Sequence, residues 1–173
     1  MTQAIIRTLG FGEMRFELYP ERAPITVASF AEAANGGFYD GLAWCRVVSG
    51  YVIQAGSPDN DIMTDSDFHI TGEFRDNGFD TGLTHERGAI SMARDDDYNT
   101  AGTQFFVVHQ NAHKLDGRYA AFGRMISGFE VLDRIAEVET NGKENWNCPL
   151  ELPIIESIRV EADGEMPEVR RLP

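Results

Sequence analysis

Trp44-Cys45-Arg46-Val47-Val48-Ser49-Gly50-Tyr51-Val52-Ile53-Gln54-Ala55-Gly56 is the stretch on which the fold turns. Runs rich in β-branched and aromatic residues flank Ser49-Gly50, a pattern that predicts two short strands joined by a turn. Arg46 and Gln54 interrupt these otherwise apolar runs. A lone arginine in a strand is ordinarily a surface or ion-paired residue, so its meaning depends on its surroundings.

Upstream, Met14, Phe16 and Leu18 alternate with Glu13, Arg15 and Glu17. That period of two predicts a half-buried strand, and the run from Ala4 to Leu9 before Gly10-Phe11-Gly12 completes an antiparallel hairpin. Val27, Phe30, Ala31 and Ala34 recur at helical spacing, so a helix should open at Pro24 or Thr26 and close at Asn35-Gly36-Gly37. Downstream, Ser57 to Asp80 is polar and reads mostly as loop. Gly88–Met92, Gln104–Val108 and Tyr119–Met125 read as strands. Ser127-Gly128-Phe129-Glu130 fits a capping box ahead of a second helix carrying Val131, Leu132, Ile135 and Val138. Pro153–Glu161 is the last expected strand. The polar residues 163–173 are expected to form a loose tail after a domain spanning 1–162. Many strands and two helices predict a barrel or sandwich with helices packed on its ends.

The chain has 173 residues, 42% hydrophobic and 25% charged, which suits one domain with its own core. Its net charge of −13 repels phosphate backbones and anionic lipid, so nucleic acid and membranes are poor partners. Such charge ordinarily serves solubility. Two cysteines, Cys45 and Cys148, make neither a disulfide framework nor a zinc pattern. The N-terminal residues lack the basic and apolar regions of a signal peptide, and no apolar run is long enough to span a membrane. The expected residence is cytoplasmic.

The acidic runs fail as calcium loops. Counting from Asp59, Asp65 or Asp95, position 6 is Thr64, Ile70 or Thr100 rather than glycine, and position 12 is Ile70, Asp76 or Phe106 rather than glutamate. His109 and His113 have helical ligand spacing, but Gln110 replaces the glutamate that a zinc-protease motif needs. No nucleophile elbow or phosphate-binding loop is present.

Three segments remain that set polar groups inside apolar runs. They are the opening stretch, Gly88-Ala89-Ile90-Ser91-Met92-Ala93 with Asn99-Thr100-Ala101-Gly102-Thr103-Gln104-Phe105-Phe106, and Leu115-Asp116-Gly117-Arg118-Tyr119-Ala120-Ala121-Phe122-Gly123. In order and spacing they resemble the cyclophilin family: an arginine-led strand pair ending in Gln-x-Gly, Ser-Met-Ala, Gly-Thr-Gln-Phe-Phe, and Leu-Asp-Gly leading to Phe-Gly. Weaker resemblance runs from about residue 4 to residue 161. It implies a mainly β fold, an eight-stranded antiparallel closed barrel capped by two α-helices, with a proline-binding groove on its outer face. It also implies peptidyl-prolyl cis/trans isomerase activity.

Carried over residue by residue, Arg46 matches the catalytic arginine and Gln54 the glutamine beside it. Tyr51 and Val52 match the proline pocket. Ala93, Arg94 and Asp95 lie where the family clamps peptide backbone. Gln104 and Phe106 match the polar and pocket positions of the next strand, Leu115 a pocket wall, and Tyr119 a position where many members have histidine. Lys114 stands where human-type members have tryptophan, which should leave at most weak cyclosporin binding. The loop after Ala93 is one residue longer and carries Asp95, Asp96 and Asp97, which favours basic residues near the proline. The implied partners are proline-containing peptides and unfolded or folding proteins, met by a monomer.

These residue types suit the chemistry. Amide resonance sets a rotation barrier of about 18–20 kcal/mol, and in the twisted state the prolyl nitrogen regains its lone pair. A fixed donor that favours this twisted form over the planar one is a catalyst by differential binding. Arginine is always charged and holds its donors in a rigid fork. No metal, cofactor or covalent intermediate is called for. The alternative is a proline-peptide-binding module or chaperone on the same fold with little turnover.

Overall fold

The computed structural model describes residues 1–173. The predicted hairpin forms as β1 (Thr2–Thr8) and β2 (Gly12–Leu18) in antiparallel register. Met14, Phe16 and Leu18 turn inward, at most 2% exposed, while Glu13, Arg15 and Glu17 face outward. Six more strands follow: β3 (Trp44–Val48), β4 (Val52–Ala55), β5 (Ala89–Met92), β6 (Phe105–Val108), β7 (Ala121–Ser127) and β8 (Ile155–Ala162). They make one antiparallel sheet in the order β3-β4-β6-β5-β7-β2-β1-β8. The sheet curls until its two end strands approach, but β3 and β8 do not pair, so the barrel is less closed than expected. An isolated bridge just outside them, Ala43 to Ile154, and a hydrogen bond from the Trp44 amide to the Pro153 carbonyl link the two ends.

The inside is filled from one end by α1 (Pro24–Asn35), which buries Val27, Phe30, Ala31 and Ala34. Phe30 sits 5.1–5.5 Å from the rings of Tyr39, Phe105 and Phe122, so helix and sheet share one aromatic cluster. Pro24 opens the helix, and no side chain of its own N-cap residue, Ala23, closes its first turn. Glu73, buried in the loop after β4, does so instead. Its carboxylate accepts from the Thr26 amide at 2.6 Å and the Thr26 hydroxyl at 2.7 Å, placing negative charge at the positive end of the helix.

The second helix, α2 (Phe129–Ala136), forms where expected and buries Val131, Leu132, Ile135 and Ala136, but not by a capping box. Ser127 still belongs to β7, opposite Arg15, and the chain enters the helix through Gly128 at φ 93°, with no side-chain cap. A Cβ at Gly128 would lie 2.4 Å from the Glu13 carbonyl, so this tight entry admits only glycine.

The segment after β4 is irregular, as expected, apart from a 3-10 turn at Arg75–Asn77. It is nonetheless built. Asp59 braces its start by accepting from the Ser57 and Thr64 hydroxyls and the Asp61 amide, and Ile70 and Phe74 enter the core. Residues 163–173 form no helix or strand, yet the tail is pinned rather than loose. Arg171 pairs with Glu32 and covers the Phe68 ring, the Leu172 amide donates to the His69 carbonyl, and Met166 packs on the core. No helix is long and apolar enough to cross a membrane.

Candidate active site

Strands β3, β4 and β6 lie side by side, and their register sets Arg46 opposite Gln54 and Gln54 opposite Phe106 on the outer face of the sheet. The Arg46 guanidinium donates to Gln54 Oε1 at 3.1 Å, and Gln54 Nε2 donates to Gln104 Oε1 at 2.9 Å. Gln104 Nε2 in turn donates to the carbonyls of Ile62 and Thr64. Because the last acceptors are carbonyls, the direction of every amide in the relay is fixed, and an acceptor is presented to Arg46. Arg46 takes part in no ion pair within 4 Å. Gly56 lets β4 approach this tightly, since a Cβ there would sit 2.3 Å from the Thr103 carbonyl.

Arg46, Tyr51, Val52, Gln54, Ala93, Arg94, Asp95, Phe106, Leu115 and Tyr119 all line one open cleft of about 550 Å³. Gln104 lies in the smaller adjoining hollow, which shares Gln54 and residues 93–95 with the cleft. The apolar end is made by Val52, Phe106 and Leu115, all under 10% exposed, with the Tyr119 ring edge-on to Phe106 at 5.8 Å. Lys114 Nζ rests 4.5 Å from the centre of the Tyr51 ring, so this lysine covers an aromatic rather than extending the wall. Burial, and then the nearby Tyr119, raise the Tyr51 hydroxyl above its ordinary value.

The side chain of Arg94 is fully engaged within the protein. It donates to the carbonyls of Arg118, Asp95 and Asp96 and lies over the rings of Tyr119, Phe74 and Tyr98. The amides of Ala93 and Asp95 are also occupied, by Gln104 and Thr100. What the segment leaves for a peptide is the backbone N–H and C=O of Arg94 and the C=O of Ala93, which bond nothing else in the chain.

Behind Phe106 lies an arrangement that no single sequence motif contains. His85, fully buried, stacks on Phe106 at 6.0 Å with the planes 21° apart. Asp116 accepts from its amide at 2.7 Å and from Nδ1 at 2.9 Å, and the Ser91 hydroxyl lies 2.8 Å from Nε2. Burial lowers the proton affinity of His85 and Asp116 only partly restores it, so the ring is neutral, with Nδ1–H donating and Nε2 accepting. Burial pushes the Asp116 carboxyl up, but hydrogen bonds from His113 and His85 outweigh it and hold the group below the usual carboxylate range. Asp116 thus fixes both the stack behind Phe106 and the turn that carries Leu115. The sequence signal was present: Asp116 stands in the Leu-Asp-Gly motif, but nothing local links it to His85.

Asp96, expected beside the proline with Asp95, lines the cleft, and so do Ile62, Met63 and Trp146, which were not among the expected residues. Ile62 and Met63 lie in the polar loop, and Trp146 is a lone indole just after the polar run Asn141-Gly142-Lys143-Glu144-Asn145.

The model of the family described as cyclophilin type peptidyl-prolyl cis-trans isomerase/CLD matches residues 4–160. This chain belongs to the cyclophilin family. Among cyclophilins, peptidyl-prolyl cis-trans isomerase B of Bacillus subtilis is 44% identical over 118 residues, 68% of this chain and 79% of that protein. Isomerase A of Dickeya dadantii is 33% identical over 162 residues, covering 90% of this chain and 83% of that one. A cyclophilin type isomerase of Cryptosporidium parvum, solved in the presence of the dipeptide Ala-Pro, superposes with a TM-score of 0.82 at 26% identity, covering 93% of this chain and 99% of that chain. The eight antiparallel strands and two helices are therefore the cyclophilin fold.

Proposed function

We propose that this cyclophilin accelerates rotation about X-Pro bonds in peptides and folding proteins, with Arg46 stabilising the twisted amide. The observation that carries the reading is a guanidinium without an ion-pair partner, oriented by Gln54, in the same cleft as the apolar pocket of Phe106, Leu115 and Tyr119. A pyrrolidine ring held against those side chains, and a flanking chain gripped by the backbone of Arg94, bring the imide bond to Arg46. A preorganised donor in such a sheltered place is worth about 2.7–4 kcal/mol, or roughly 10²–10³ in rate. Gln54 positions the arginine, and Tyr51 and Val52 close the pocket floor. The likeness to an isomerase solved with Ala-Pro supports proline as the anchored residue.

On this reading the working unit is residues 1–162 acting as a monomer, with residues 163–173 appended to it. The free thiols of Cys45 and Cys148 suit the reducing cytoplasm. Cyclosporin binding is weak, because Lys114 supplies no indole donor. Two-dimensional exchange NMR on an Ala-Pro peptide tests the activity. Catalytic amounts of wild type bring cis and trans signals into exchange. Exchange at the uncatalysed rate, with the peptide bound, would instead assign a binding module.

A further inference from the structure

The cleft has a wall that the isomerase chemistry does not need. Trp146 lines it together with Arg46, yet is 56% exposed, whereas the other tryptophan, Trp44, is fully buried. The open indole of Trp146 is free to meet a ligand beside Arg46, and tryptophan is enriched among the residues that anchor partners.

The loop that carries it is built to present it. Trp146 and Asn147 both adopt left-handed backbone, at φ 64° and 51°, which is uncommon for residues other than glycine. The turn is locked on both sides. Asn141 donates its amide to the Cys148 carbonyl and accepts the Cys148 amide at its side-chain oxygen, and the Asn147 amide donates to the Gly142 carbonyl. The Val47 amide, one residue from Arg46, donates to the Asn147 carbonyl at 3.0 Å and ties the loop to β3.

Sheet order then fixes the direction. β3 is the edge strand, followed by β4, β6 and β5, and residues 93–95 follow β5. Trp146 therefore stands at the end of the cleft opposite the Arg94 segment and the Tyr119 wall, with Arg46 between them.

We infer that Trp146 is a specificity-determining residue, an aromatic wall that packs on a large apolar or aromatic side chain flanking proline on the side away from residues 93–95. This rests on the reading of the cleft given above. A substrate gripped at Arg94 and anchored at Phe106 must leave past Arg46 along β3, where the indole offers its face. Aromatic packing of this kind is worth about a fivefold change in affinity.

The test compares wild type, Trp146→Ala and Trp146→Phe on Ala-Pro peptides bearing phenylalanine or glycine immediately before or immediately after the Ala-Pro unit. Wild type should show a lower KM for phenylalanine at one of the two flanks. Trp146→Ala should raise that KM about fivefold relative to the KM of the glycine peptides, and Trp146→Phe should restore most of the difference. Saturating phenylalanine peptide should also change the indole fluorescence of wild type but not of Trp146→Phe, since buried Trp44 stays out of reach. A phenylalanine preference that survives Trp146→Ala, no preference at either flank, or fluorescence indifferent to peptide would overturn the inference. Catalysis of the glycine peptides and its loss in Arg46→Ala tests the underlying reading separately.

Discussion

Arg46 and Gln54 face each other across β3 and β4, the guanidinium donating to the glutamine oxygen at 3.1 Å. The partner is a neutral amide. It orients the arginine without cancelling its charge, and the relay through Gln104 to the Ile62 and Thr64 carbonyls holds that amide the right way round.

Gln54 is therefore the sensitive position beside the arginine. Gln54→Ala should lower kcat/KM about tenfold, the worth of one hydrogen bond to a charged group. Gln54→Glu, though nearly the same shape, should cost at least as much, because a carboxylate would pair with the guanidinium and draw it from the substrate. A near-wild-type glutamate variant would show that Gln54 only fills space.

The His85 stack sets a pH dependence of stability. Burial lowers the His85 proton affinity in the folded state, so below its ordinary value near 6.5 the unfolded chain takes up a proton that the folded chain refuses. Stability should then fall as pH drops from about 7 to 5, by at most about 1.4 kcal/mol per unit from this group. Asp116, held below its ordinary range, adds a contribution present at neutral pH and lost only at more acid pH. Thermal melts of wild type and His85→Gln across this window should converge at the acid end. Parallel curves would contradict the neutral assignment of His85.

Glu73 supplies an N-cap from a distant loop. Glu73→Ala should destabilise the protein by about 1–2 kcal/mol, lowering Tm by roughly 2–8 °C, while kcat per folded molecule stays unchanged. An unchanged melting curve would mean that water replaces the carboxylate at no cost.

Asp95 and Asp96 border the cleft in a chain of net charge −13. Peptides with lysine beside the Ala-Pro unit should have KM values roughly two- to fivefold below those with glutamate, the range of exposed charge pairs. Asp95→Asn with Asp96→Asn, or 0.5 M salt, should remove most of the gap, as screening requires. A gap insensitive to both would place its origin elsewhere.

Legibility in the sequence followed locality. The alternation in Glu13–Leu18 and the helical spacing of Val27, Phe30, Ala31 and Ala34 decide elements because each residue's environment is set by its near neighbours. The cleft was legible for a different reason: Arg46, Gln54 and Phe106 meet through strand register, and their motifs carry that register in order. Contacts with no local period stayed hidden. Glu73 capping α1, Asp116 holding His85, Ile70 and Phe74 entering the core from a polar loop, and Arg171 pinning the tail all join residues far apart in the chain. The capping box at Ser127 misled because its spacing is right, while the continuation of β7 commits Ser127 to the sheet and leaves the turn to Gly128.

The role of Arg46 is isolated by exchange NMR on an Ala-Pro peptide with Arg46→Ala and Arg46→Lys, beside an amide-shift titration of the same peptide. Both variants should fold and bind the peptide within a few-fold of wild type, while catalysed exchange falls about 10²–10³-fold in Arg46→Ala and nearly as far in Arg46→Lys, whose point charge lacks the planar fork. Wild-type exchange rates in a folded Arg46→Ala protein would show that the guanidinium does not stabilise the twisted amide.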